Sequence, residues 1–155
     1  MKKTINVNKE HLNGIIKELD DKHYFYLGKR DTDRKDLFNF ALALGLQKGV
    51  PTPLSASDGF VRSEYIESIM YMYQGVFYDK VLSEKPDDID KIADKDAVIS
   101  LVEEYANTGF YCLAELKKDF PDEEHFMSKL LNEMDRIQEE YLDVYEMKTI
   151  VTGEQ

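Results

Sequence analysis

Apolar residues in this chain recur at spacings of three and four, and that period belongs to the α-helix. Lys9 to Leu19 places Leu12, Ile15, Ile16 and Leu19 on one face, with Asn8 positioned as N-cap and Gly14 as a weak point. Asp33 is positioned to cap a helix from Arg34 to about Lys48, where Gly49 is placed to end it. Its stripe is Leu37, Phe38, Ala41, Leu42, Leu44 and Gly45. Ala41, Ala43 and Gly45 would let a second helix approach closely, and Phe38 and Phe40 supply bulk around the crossing. Glu64 to Leu82 is apolar nearly all round, the pattern of a helix buried on most sides. Asp94 or Asp96 caps the next helix, from Ala97 to Lys117, whose stripe includes Val98, Val102, Tyr105, Gly109, Cys112 and Leu113. Gly109 either admits a neighbouring backbone or splits that helix in two. Pro121 at a first helical position opens the last helix, which runs to about Met147. Along it Met127, Leu130, Met134, Ile137, Tyr141 and Val144 form a heptad seam.

Other stretches resist the helix. Pro51 and Pro53 push the residues before them toward extended geometry, so 50–54 is a connector. Ser55 to Gly59 reads as a turn and Phe60-Val61-Arg62 as a short extended segment. His23 to Leu27 is a second strand candidate or a buried connector, and Asp87 to Ala93 a short acidic helix. The expectation is a mainly α, compact bundle of five or six helices, with one short β-hairpin in the N-terminal half left open. A length of 155 residues suits one domain, read as 1–148, with 149–155 as a flexible tail.

Charge divides the chain. Residues 1–78 are near neutral, with 11 basic and 10 acidic side chains, whereas 79–155 hold 9 and 21. A net charge of -11 opposes generic nucleic-acid binding, which needs a cationic footprint. No stretch approaches the ~18 apolar residues of a membrane span, and no apolar run follows Lys2 and Lys3, so neither a membrane nor a signal peptide is expected. With one cysteine and no disulfide framework, the expected location is cytoplasmic.

Reactive chemistry is sparse. Cys112 between Tyr111 and Leu113 reads as a small core hydrophobe. Asp122 and His125 have metal-ligand spacing but sit where acids favour the helix dipole. The run Asp87-Asp88-Ile89-Asp90 lacks the glycine and terminal glutamate of a calcium loop. His11, His23 and His125 stand apart in sequence, without partners at a motif spacing. No catalytic residue, metal or cofactor is assigned, and an enzyme is not expected. Two charged groups are partner-binding candidates instead. Lys29, Arg30, Arg34 and Lys35 cluster at a helix start, with Lys48 and Arg62 as possible spatial neighbours. Glu133, Glu139, Glu140 and Asp143 project off the heptad seam.

The stretch from Arg30 to Gly45, with Thr52-Pro53-Leu54, Gly59 to Ile66 and Glu103 to Gly109, resembles small proteins associated with DNA-phosphorothioation (Dnd) and related bacterial defence loci. That resemblance implies an accessory role in a bacterial or phage defence system and supplies no catalytic residue. The leading expectation is a non-catalytic interaction protein acting through an acidic helical surface, with a homodimer through 121–147 as one form of it. The alternatives are an acidic DNA mimic that blocks a nucleic-acid-binding protein, and a DNA-binding accessory protein using Lys29–Lys35.

Overall fold

The computed structural model describes residues 2–21 and 31–152. Its chain forms β1 (Thr4–Asn8), α1 (Lys9–Asn13), α2 (Ile15–Asp21), α3 (Asp31–Lys48), β2 (Ser57–Arg62), α4 (Met70–Phe77), α5 (Lys95–Asp119) and α6 (Glu123–Thr152). The fold is mainly α, with a short two-stranded antiparallel sheet in the N-terminal half. It divides into two compact units, Met1–Ala114 and Glu115–Gln155.

The sheet pairs segments far apart in sequence. Thr4-Ile5-Asn6-Val7 alternates polar and apolar, so Ile5 and Val7 turn inward and are buried. β1 pairs with β2 in the register Ile5↔Val61 and Asn6↔Gly59, which leaves Phe60 as the extra residue of a bulge. The bulge is why Phe60 and Val61, consecutive in sequence, are both buried. The extended segment expected at 60–62 therefore has its partner at 4–8; the other strand candidate, 23–27, lies outside the described residues.

In the first unit, α3 and α5 cross at backbone contact. A Cβ added to Gly45 would lie 1.7 Å from the Tyr105 carbonyl oxygen, and one on Gly109 would lie 1.6 Å from that of Ala41. Each glycine thus receives the other helix's backbone, and α5 continues unbroken through Gly109. Leu37, Phe38, Ala41 and Leu42 from α3, with Val98, Val102, Tyr105 and Ala106 from α5, form the buried centre of this unit. Gly49, at φ 83°, ends α3 and donates its N–H to the Gly45 carbonyl at 3.0 Å.

Several expected boundaries move, and the cap of α5, left open between two residues, is decided. The helix read over 9–19 is divided at Gly14 into α1 and α2. α3 spans Asp31–Lys48, so Asp33 lies within the helix and not at the position before it. Asp94, not Asp96, caps α5: its carboxylate accepts the Ala97 N–H at 3.2 Å. Asp122 caps α6, accepting the His125 N–H at 3.1 Å, which leaves Pro121 one residue outside the helix. α6 then continues past Met147 to Thr152.

The segment read as one helix over 64–82 departs most from expectation. It opens with two 3₁₀ turns at Ser63–Tyr65 and Glu67–Ile69, becomes α4, and ends in a π turn at Tyr78–Leu82. A 3₁₀ run, Pro86–Ala93, replaces the short acidic α-helix. In the second unit the turn before α6 is held locally. Buried Lys117 donates to the Pro121 carbonyl at 3.0 Å and places its ammonium 5.0 Å from the Phe126 ring centroid.

Candidate interaction face

α5 carries Glu103, Asn107 and Tyr111 four residues apart, which puts them on one side of the helix. All three are committed to holding chain. Glu103, buried, accepts the Asn6 backbone N–H at 2.5 Å and the Lys2 ammonium at 2.9 Å. The carboxylate thereby satisfies a donor of β1 that the ladder leaves unpaired. Asn107 Nδ2 donates to the carbonyls of Thr52 and Pro53, at 3.0 and 3.3 Å. Its Oδ1 is therefore the acceptor for His11 Nε2 at 2.7 Å, which fixes the Nε2–H tautomer. The His11 ring lies against Phe110 and edge-on to Tyr111. Burial holds the His11 pKa below its ordinary value, against smaller opposing effects of the Asn107 hydrogen bond and the Glu10 charge. Tyr111 donates to Glu10 at 2.8 Å, and that bond raises its phenol pKa. Thr108, alongside, bonds the Val50 carbonyl at 2.6 Å and the Thr52 hydroxyl at 2.7 Å. This polar clasp fastens the N-terminal strand, α1 and the proline-rich connector to α5.

The opposite situation holds on α4. Met70, Tyr73 and Phe77 repeat at three and four and are buried. Tyr73 donates its hydroxyl to Asn39 of α3 at 2.5 Å and meets Phe38 edge-on, with ring centroids 6.3 Å apart. Burial pushes its phenol pKa up. The other face looks outward: Tyr71 is 74% exposed and Met72 40% on α4, and Tyr78, the first residue of the π turn, 46%. Tyr71 and Tyr78 are seven residues apart, two helical turns, so they form a ridge. Gly75 lies between them and has open space around it.

Acids border this ridge. At 100° per residue Gln74 falls on the flank away from Met72, and Asp79 follows Tyr78 in the π turn. Gln74 donates to the Ile92 carbonyl at 3.1 Å, which fixes the 86–93 turn along that flank. That turn carries Asp87, Asp88 and Asp90 together with Ile89, itself 46% exposed. Past the π turn lies a half-open cleft of about 350 Å³, lined by Asp79, Lys80, Val81, Ser83, Glu84 and Lys85.

The residues singled out from sequence fall in different places. Lys29 and Arg30 lie outside the described residues. Arg34 turns onto β2, with its guanidinium 5.6 Å from the Phe60 ring centroid and 3.5 Å from the Phe60 carbonyl oxygen. Lys35 is half-buried beside it, and Arg62 is exposed, 3.8 Å from Glu64. Lys48 sits at the far end of α3 from Arg34, 14 residues and about 21 Å away, so it does not join them. Glu133 pairs with Arg136, whereas Glu139 and Glu140 are exposed on α6. Asp143 is on α6, its side chain outside the described set. On the seam Leu130 is buried, Met127, Met134 and Ile137 are half-buried, and neighbouring Leu131 is exposed. Cys112 is half-buried rather than fully enclosed. His125 stands 3.6 Å from Asp122, both exposed at the α6 cap. Among the described residues no group of three or more His, Cys, Asp or Glu could hold a metal ion, and no helix is long and apolar enough to cross a membrane.

The Tyr71–Tyr78 ridge was not isolated by sequence reasoning, which reads 64–82 as buried on most sides. The signal was the excess of large apolar side chains over what one helix face can bury. No family model matches the chain, and neither a curated protein nor a solved structure matches it.

Proposed function

We propose that this chain is a non-catalytic interaction protein, presenting the outer face of α4 to a protein partner. One observation carries this reading: Tyr71, Met72 and Tyr78 are held in solvent by a helix whose opposite face is anchored through Met70, Tyr73 and Phe77. Tyr and Met are enriched at protein interfaces, and a ridge backed by a packed core needs little ordering on binding. The committed state of Glu103, Asn107 and Thr108 supports the non-catalytic part, because each is bonded to backbone groups of the clasp. The acidic segments around the ridge extend the earlier expectation of an acidic helical surface. An accessory role in a cytoplasmic defence system, as the resemblance to Dnd-associated proteins implies, belongs to the same proposal.

A photo-reactive amino acid placed at position 71 tests it, with one at Lys17 on the exposed side of α2 as control. Expected is a discrete adduct from position 71 in the native host, absent from position 17. Identical adduct patterns from both positions, or none from 71, would defeat the proposal.

A further inference from the structure

Resting on that interaction reading, we infer the chemistry of the partner: the α4 ridge takes an arginine-bearing peptide segment, with guanidinium groups laid over Tyr71 and Tyr78 and paired with the surrounding carboxylates. Three observations converge. The first is ring access, since Tyr71 is three-quarters exposed and Tyr78 nearly half, so their faces are open to a planar cation. The second is charge. Residues 79–94, which continue and flank the ridge, hold six acids against three lysines. Two of those lysines pair within the segment, Lys80 at 3.6 Å from Asp79 and 5.9 Å from the Tyr105 ring centroid and Lys91 at 3.4 Å from Asp88, which leaves a surplus of three acids. The third is arrangement, because Asp79 belongs both to the solvent face and to the wall of the 350 Å³ cleft. A guanidinium on Tyr78 would thus have a carboxylate within one side-chain length.

The chain already meets its own rings this way, with Arg34 over Phe60, Lys117 over Phe126 and Lys129 over Phe120, at 5.0–5.6 Å. Apolar contacts from Met72 and Ile89 would fill the spaces between charges. An acidic partner would face the surplus of carboxylates over lysines in 79–94, so the frame selects as well as attracts.

The test uses the full chain and fluorescent synthetic peptides of alternating Arg and Leu, read by anisotropy at low and high salt. Controls replace every Arg by Gln, or every Arg by Glu. Expected is binding of the Arg peptide that weakens with salt, and much weaker binding of both controls. Tyr71→Ser should reduce affinity about tenfold, as loss of a desolvated cation–ring contact and its apolar area implies. Asp79→Asn with Asp90→Asn should weaken binding, whereas Glu139→Gln with Glu140→Gln, an equal change of charge on α6, should not. Equal loss from both double variants would mean the peptide senses net charge alone and would overturn the inference, as would full affinity in Tyr71→Ser or no binding at all. An adduct at position 71 without Arg-peptide binding would leave the interaction reading standing and remove this one.

Discussion

α3 and α4 each bury an apolar face, and they differ in what becomes of their other large side chains. Both are rich in apolar residues, yet α3 is enclosed around Leu37, Phe38, Ala41 and Leu42 while α4 keeps Tyr71, Met72 and Tyr78 in water. The difference is side-chain size at the crossing. Ala41 and Gly45 let α5 come to backbone contact, so the small face of α3 is covered and its bulky residues pack around the seam. Apart from Gly75, α4 carries no small residue at which another helix could come close. Once Met70, Tyr73 and Phe77 fill the available space, no second layer of chain covers the rest. Apolar content therefore sets how much a helix can bury, and the distribution of small residues decides how closely another helix can cover it.

The sharpest way to break this comparison is to place a methyl group on each kind of glycine. Gly109→Ala would set a Cβ 1.6 Å from the Ala41 oxygen, and the obstruction is backbone, which cannot step aside as a side chain can. We expect destabilisation of about 3 kcal/mol or more, with Gly45→Leu at least as severe by thermal melting. Gly75→Ala on the ridge meets nothing within 4 Å and should gain about 0.5–1 kcal/mol from helix propensity. An unchanged melting temperature in Gly109→Ala would mean the helices do not cross as described.

The clasp supplies the next effect. Asn107→Ala would leave the His11 Nε2–H and two carbonyls of the proline-rich connector without their partner. A loss of about 3 kcal/mol is expected from unsatisfied buried groups. Faster amide exchange of α1 and of the non-proline residues in 50–56, ahead of α3, would locate it. Uniform loosening of the whole first unit would show that the clasp is not a separable element.

Acid should act through the same place. Because the folded chain holds the His11 pKa below the unfolded value near 6.5, the unfolded state binds the proton more readily. The sign follows: His11's contribution is complete above pH 6.5 and is lost as pH falls from there toward the lowered folded value. His11→Gln can still donate to Asn107 yet cannot titrate. Its melting temperature should fall less steeply between about pH 7 and pH 5.5 than that of the unaltered chain. Parallel slopes would assign the acid response to other groups.

Much of the fold was legible because it is local. The stripes over 34–48 and 97–117, the connector at 50–54 and the stop at Gly49 follow from spacing, proline and glycine. Gly45 and Gly109 even announced a close approach, though not that they approach each other's helix. What stayed hidden depends on distant pairing. β1 is five residues whose alternation has meaning only beside β2, and His11 meets Asn107 across 96 positions of sequence. The ridge was hidden for a different reason: burial on α4 is limited by the space between other elements, which no local pattern records. Arg34, read as a surface cation, is instead drawn onto the Phe60 ring.

The smallest effect on stability separates the two faces of α4 most cleanly. Tyr73→Phe deletes the hydroxyl that bonds Asn39 and keeps the ring, so about 1 kcal/mol should be lost with binding unaffected. Tyr71→Ser, at a side chain three-quarters exposed, should change stability by no more than about 0.5 kcal/mol while reducing partner capture. Two tyrosines two positions apart would then divide the helix into a face that holds the fold and a face that meets the partner. If Tyr71→Ser proved as destabilising as Tyr73→Phe, the outer face would be part of the packing after all, and its exposure would no longer distinguish α4 from α3.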